Sequence, residues 1–289
     1  MKTRHKLMWL VFAGITLIGI YLPHEGSMNR RYIHELNQRA QLKAIGDGLE
    51  MFKNDYSEYP ESGALDPTGE NYCGAMKLAE AMMGRDLLGF HPRSRFCLDG
   101  TNGLNDTRLY IPILQALLVE NLKERKDTYI RADFANAYRL RNLYTSQGIF
   151  ADVNDMYMLF DVFKRNNNLL GRGEIKVGTP ILYYKAQQHK SSHDLNDPDN
   201  PDNIYDYKDN HDLLALGAPG IHRIQHPLYQ NPHLFYKRTQ NKAIQEKPTP
   251  YRRDSFILWS AGHDGLFGTK DDITNFDSRK KSQKAQKKE

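Results

Sequence analysis

From Ser27 to Tyr56 apolar residues return every three to five positions: Ile33, Leu36, Ala40, Ile45, Leu49, Phe52 and Tyr56. That spacing places them on one side of a helix, so the segment predicts a long helix with one packed face. Gly46 and Gly48 fall inside it and weaken it by about 1 kcal/mol each relative to alanine. Glu61-Ser62-Gly63 and Asp66-Pro67 end it. A second helix is predicted over Cys73–Gly89, with Met76, Leu78, Ala79, Met82 and Met83 as its apolar side. The methionines read as core filler. Gly100–Asp106 is a turn-rich break, and Leu109–Val119 and Arg131–Leu143 read as two further helices.

Past Gly148 the period changes. Tyr157–Phe163 and Pro180–Lys185 are aromatic and β-branched, bounded by glycine and proline, as strands are. Leu234–Arg238 and Ser255–Trp259 are two more strand candidates. Gln188–Asp212 is acidic, contains Asn and Pro, and has no periodicity, which predicts a long loop. The order of elements is an apolar segment, a long helix, a mostly helical insertion and a C-terminal antiparallel sheet: an α+β protein.

With 289 residues, 39% of them hydrophobic, the chain has enough apolar material for a core. Its formal charge of +5 is unevenly placed. Lys2, Arg4, Lys6 and the lysine-rich end after Arg279 carry more than the whole excess, so the body between them is net negative. A nucleic-acid binder spreads positive charge over its folded body, and this chain does not. The basic end is low in complexity and reads as a disordered tail.

Leu7–Leu22 is a 16-residue run without a charge. As a helix it reaches about 24 Å, against a hydrocarbon core of about 30 Å. A cleaved signal peptide has an apolar core of this length, but Tyr21-Leu22-Pro23-His24-Glu25 offers no small-residue cleavage pair. The segment therefore predicts an uncleaved membrane anchor, with Lys2, Arg4 and Lys6 on the cytoplasmic side and the body exported. Cys73 and Cys97 are the only cysteines. In an exported chain they form either a disulfide, whose loop closure contributes about 3 kcal/mol, or two buried thiols.

The candidate chemistry lies in Trp259–Phe276, where Asp264, Asp271 and Asp272 stand among Gly262, Gly265 and Gly268. Calcium takes six to eight hard oxygens, and glycines let backbone carbonyls turn inward to complete a carboxylate set. The spacing excludes an EF-hand. The plain alternative is a glycine-rich hairpin whose aspartates cap turns.

Two ends of the chain together resemble the type IV pilin-like proteins, most closely the major pseudopilin of type II secretion. In that family an apolar N-terminal helix bends at a proline, runs into the head and ends in a pattern like L-x-x-Y-K-x-D-x-x-x-Y-P. Pro23 stands at the bend, and Leu49, Phe52, Lys53, Asp55, Tyr59 and Pro60 match the end. Ser260, Gly262, Asp264, Gly265, Gly268, Asp271, Asp272, Ile273, Asn275 and Phe276 follow the family's closing calcium loop with small spacing changes. The resemblance covers Leu7–Pro60 and Thr179–Phe276. Two departures stand out. The family's processing site is degenerate: with Gly14 as its glycine, Gly19 stands where the assembly glutamate is expected, and counted back from Pro23, Lys2–Lys6 fall where the family has apolar residues and the glutamate. The insertion Glu61–Gly178 is larger than the family's head requires.

The resemblance implies a bound structural Ca²⁺ with Asp264, Asp271 and Asp272 as ligands, completed by carbonyls from Leu258–Thr269. It implies pilin-like subunits and secretion-apparatus proteins as partners. It also implies a single-pass location in a bacterial inner membrane, with the body periplasmic. The predicted division is residues 1–22 stub and anchor, 23–60 exposed half of the long helix, 61–178 helical insertion, 179–276 β-rich head with the calcium loop, and 277–289 basic tail. The expected function is a non-catalytic pseudopilin-like structural component. The alternative is a membrane-anchored extracytoplasmic binding module on the same scaffold.

Other groupings carry less. His189, His193, His211, His222, His226 and His233 include pairs at i, i+4, but the surrounding prolines argue against a zinc-binding helix, and surface histidine is the default. The aspartates of Gln188–Asp212 read as a solvated acidic loop rather than a second calcium site. No G-x-S-x-G or phosphate-binding glycine loop occurs, and no feature selects a catalytic carboxylate pair.

Overall fold

The computed structural model describes residues 30–105, 107–111, 118–144, 150, 156–169, 173–219 and 224–276. The predicted anchor Leu7–Leu22, the bend at Pro23 and the basic tail lie outside the described residues. No helix among the described residues is long and apolar enough to cross a membrane. The chain divides into two units, Met1–Asn37 and Gln38–Glu289.

Helix α1 occupies residues 30–56. In the first unit its side chains Ile33 and Leu36 are about half exposed, at 51% and 47%. From Gln38 onward the packed face is Gln38, Gln41, Leu42, Ile45, Leu49 and Phe52, all buried. Leu42 replaces Ala40 of the predicted stripe, and Ala40 is exposed. The two buried glutamines satisfy backbone groups of the insertion. Gln41 Nε2 donates to Phe134 O at 2.7 Å and Phe160 O at 2.9 Å, and Val162 N donates to Gln38 Oε1 at 2.8 Å. Gly48 is in the helix for lack of room: a Cβ there would stand 2.8 Å from Tyr129 O and 3.0 Å from Met82 Sδ. The helix stops at Ser57, which takes a left-handed φ of 67°.

The sheet beneath α1 has strands β5 (Leu182–Lys185), β6 (Phe256–Ser260) and β7 (Ile273–Thr274), antiparallel in the order β5-β6-β7. Leu182 pairs with Trp259, and Trp259 with Thr274. Every residue of β5 and β6 is buried, because both faces are covered. One face meets α1 and its exit: Phe256 lies beside Gly46 and packs on Tyr59 with ring centroids 5.0 Å apart. The other face meets α7 (Pro232–Thr239), whose Phe235 lies 4.8 Å from the Tyr184 ring and 6.1 Å from the Trp259 ring. Side chains alternating on a pleated strand deliver these two sets to opposite faces.

Helix α2 (Gly74–Met83) is buried at every residue, Lys77 and Glu80 included, and packs on β5 and on β2 (Tyr157–Leu159). Lys77 is satisfied by Gly63 O and Leu65 O, both at 2.7 Å. The insertion is thus part of the core. It is also less helical than predicted. Besides α3 (Leu118–Glu124) and α4 (Ala132–Ala135) it holds the hairpin of β1 (Ala137–Arg139) with β2, and the hairpin of β3 (Arg165–Leu169) with β4 (Gly173–Val177).

Several sequence expectations are corrected. The helix expected over Arg131–Leu143 ends at Asn136, which adopts the left-handed conformation that asparagine tolerates, and the chain then enters β1. The strand expected at Leu234–Arg238 is helical, as part of α7. Pro232 at the first turn supplies a helix-ready φ, and Phe235, Tyr236 and Thr239 share the buried side. The helix expected at Leu109–Val119 is not helical at residues 109–111, where Leu109 N donates to Gly100 O; residues 112–117 lie outside the described residues, and α3 begins at Leu118. Cys73 and Cys97 are both buried free thiols. Cys73 precedes the buried helix α2, and Cys97 sits against Gly103 in a loop whose carbonyls at Cys97 and Leu98 are held by Arg85. The segment expected as a loop over Gln188–Asp212 is capped turns only as far as Asp206; a 3₁₀ helix follows at Tyr207–Asn210, and α5 (His211–Ala215) begins at His211. Asp194 Oδ1 accepts from the amides of Asn196 and Asp197, and Tyr236 OH donates to Pro198 O and Tyr205 O.

Candidate metal centre

The loop between β6 and β7 turns three times through left-handed glycines, Gly262, Gly265 and Gly268. At Gly262 a Cβ would stand 2.1 Å from Asp271 O, so the two limbs of the loop touch here only because that atom is missing. Across this contact Asp264 N donates to Asp271 Oδ2 at 2.9 Å, and Thr269 Oγ1 donates to Asp271 Oδ1 at 2.6 Å. Asp264 Oδ1 accepts from Leu266 N at 2.8 Å.

The two carboxylates are neighbours and titrate as such. Partial burial, with the Asp271 charge added, pushes the Asp264 carboxyl above its usual range. Burial acts the same way on Asp271, but the donors Thr269 and Asp264 N outweigh it and hold Asp271 low.

Asp272, between the turn at Asp271 and the start of β7, makes contacts of its own. Its Oδ2 accepts from Gly268 N at 3.0 Å. Its Oδ1 and the Trp259 indole nitrogen are both buried without a hydrogen bond of normal geometry, although the indole still acts on the carboxylate. Burial pushes this carboxyl up to about 7, with the Trp259 indole and the Arg238 charge opposing.

Two arginines hold the loop's carbonyls. Arg165, at the start of β3, donates through Nη2 to Gly262 O at 2.9 Å and through Nε to His263 O at 3.4 Å. Its Nη1 donates to Thr179 Oγ1 at 3.0 Å. Arg238, in the last turn of α7, donates through Nη2 to Gly268 O at 3.0 Å and to Thr269 O. A histidine adds a third support. His226 Nδ1 accepts from Phe267 N at 3.2 Å, and Leu228 N donates back to Phe267 O at 3.1 Å. Burial holds His226 down to about 4, so at neutral pH it is an uncharged acceptor. At the base of the loop Ser260 Oγ donates to Asp161 Oδ2 at 3.0 Å.

This arrangement fails the requirements of a calcium cage. Of the three expected ligands, Asp264 and Asp271 come together and Asp272 does not join them. Among the described residues no group of three His, Cys, Asp or Glu side chains converges on one point. Four of the carbonyls from which a shell of six to eight oxygens would be completed are taken by guanidinium groups.

The remaining candidates are also dispersed. His193 Nε2 lies 2.8 Å from Tyr236 O, His211 stacks on Tyr229 with centroids 4.6 Å apart, and His233 Nδ1 lies 3.2 Å from Leu195 O. His193 and His226 are buried, against the expectation of surface histidines. His222 lies outside the described residues. In the acidic loop Asp199 pairs with Lys208 at 2.7 Å, and Asp209 is buried beneath Ser62.

Arg165, Arg238 and His226 carry the loop; sequence reasoning missed the two arginines and read His226 only as a surface histidine. The prolines at 227 and 232 were the available signal. Read as helix starts, they place His226 at the cap of α6 (Pro227–Gln230) and Arg238 in the last turn of α7. Nothing local marks Arg165, whose partners in the loop are about a hundred residues away.

A second concave feature lies where α1 ends. A groove of about 440 Å³ is lined by Phe52, Tyr56, Tyr59, Phe90, Pro92 and Phe96, among others. Ser94 of its lining is held by buried Glu80, which accepts from Ser94 Oγ at 2.5 Å, from Tyr110 OH at 3.0 Å and from Tyr72 OH.

Comparison with protein-family models, with curated proteins and with solved structures finds no match to this chain.

Proposed function

We propose that the chain is a non-catalytic, membrane-anchored structural subunit of pilin-like design, which works by packing its helix and head against like subunits. The observation that carries this reading is the placement of α1. Its body half lies across an antiparallel sheet assembled from the far end of the chain, and the glycine–aspartate loop closes that sheet. In the same helix Ile33 and Leu36 stay half exposed. Exposed apolar side chains on a helix suit a contact with another subunit or with lipid. The anchor expected at Leu7–Leu22 and the inner-membrane location belong to this proposal.

The test is cross-linking in bacterial cells expressing the full chain with a cysteine placed at Ile33 or Leu36. Subunit-to-subunit disulfides are expected at both positions and not at Val119, which is 63% exposed on α3. The membrane fraction should hold the protein. Monomers throughout, or recovery in the soluble fraction, would overturn the reading.

The aromatic groove favours a second reading, a binding module on the same scaffold. A fragment screen on the full chain, read by NMR, would place hits at Phe90 and Phe96 under that reading. A screen without hits there would remove it.

A further inference from the structure

We propose that Arg165 and Arg238 are built-in cations that organise the Gly262–Asp272 loop in place of a divalent metal, so that the loop folds without calcium. The inference stands on the loop's own geometry and not on the pilin-like reading. The two guanidinium groups reach the loop from different elements and grip its two ends. Arg165 comes from β3 and takes Gly262 O and His263 O; Arg238 comes from α7 and takes Gly268 O and Thr269 O. Each also faces acid. Asp161 at the base of the loop, then Asp264 and Asp271 within it, act on Arg165, and Arg238 acts on Asp272. A planar, permanently charged fork with five donors does here what a cation does in a cage: it gathers carbonyl oxygens and offsets carboxylate charge.

Gly265 is an independent mark of this arrangement. A Cβ at that position would stand 2.2 Å from Arg165 Cζ and 2.3 Å from its Nη1. The glycine that the sequence suggests as a calcium-loop turn has a left-handed φ of 74°, and the Arg165 guanidinium lies in the space its missing side chain leaves. A divalent ion entering beside Asp264 and Asp271 would meet the Arg165 charge and find Gly262 O and His263 O already taken.

The experiment is hydrogen exchange by mass spectrometry on the full chain in detergent micelles, in 1 mM Ca²⁺ and in chelator, following peptides that cover residues 261–272. For the unaltered protein the same protection is expected in both buffers. Arg165→Gln and Arg238→Gln should each speed exchange in chelator by at least about tenfold, the weight of lost charge-assisted hydrogen bonds. Calcium should restore protection only in Arg165→Gln, which frees two carbonyls beside the Asp264–Asp271 pair. Arg165→Lys keeps the charge without the fork and should fall between, and it serves if the glutamine variant does not fold. Protection of the unaltered loop that rises tenfold or more with calcium would overturn the proposal. So would arginine variants whose loops exchange as slowly as the unaltered one in chelator.

Discussion

Replacing Asp209 by asparagine should stabilise the protein at pH 8, and by only about a quarter as much at pH 4.5. Asp209 is 5% exposed and accepts from Ser62 Oγ at 2.5 Å, while Ser62 Oγ itself accepts from Lys185 N at 2.9 Å. Burial raises its carboxyl from the ordinary 3.8 to about 7, with Ser62 and Lys77 opposing. A pKa raised on folding means that the folded state binds the proton more tightly than the unfolded chain. Stability contributed by this group is therefore undiminished below pH 3.8, falls as pH climbs from about 4 to about 7, and is flat above. The shift of about three pH units corresponds to about 4 kcal/mol at the upper limit, at 1.36 kcal/mol per unit. Asparagine cannot ionise and so removes the penalty. In a chain of this size that corresponds to a rise in Tm on the order of 10 °C at pH 8. Thermal melts of both proteins from pH 4.5 to pH 8 provide the assay. Taking the difference between them cancels the other buried acids, such as Asp161, which burial also raises to about 7. A Tm difference that stays constant across the range, or one that favours the parent at pH 8, would refute the reasoning.

Two further outcomes follow from packing. Gly48→Ala should destabilise by about 1–3 kcal/mol in urea titration despite the better helix propensity of alanine, because the added methyl meets Tyr129 O and Met82 Sδ; a more stable variant would mean that the contact between α1 and the Tyr129 loop is looser than described. Cys73 and Cys97 should both react with a thiol reagent after denaturation without reductant, and an intact mass two hydrogens lighter than the reduced chain would contradict the free thiols described here.

The helix α1, the strands at Leu182–Lys185 and Phe256–Ser260 and the loop after them were legible because each has a local cause. A stripe of apolar residues, a run of β-branched and aromatic residues, and glycines at left-handed turns are all read over a few positions. Leu234–Arg238 was misread for the converse reason. Five residues alternate equally well as a strand or as part of a short helix, and only Pro232 separates the two. The aspartates of the loop were found, but their partners were not. Arg165 is drawn to Gly262 O and His263 O by the pairing of β3 with β4 and the closure of the sheet, and no spacing along the chain encodes that meeting.

The five-part division drawn from the sequence changes for a related reason. Segments 61–178 and 179–276 behave as one body with the second half of α1, since Gln38–Glu289 is a single unit. Helix α2 from the insertion lies under β5 from the head, Gln41 from α1 closes two insertion carbonyls, and Tyr183 OH from the head donates to Pro60 O at 2.7 Å. Each of these joins residues far apart in the chain. Closing such loops costs entropy that grows only slowly with length, so a long insertion is tolerated, and its burial then contributes to the core it interrupts. The large insertion that departs from the pilin-like pattern is therefore no appended module. Removing it would expose β5 and the packed face of α1, so the whole body stands or falls with it.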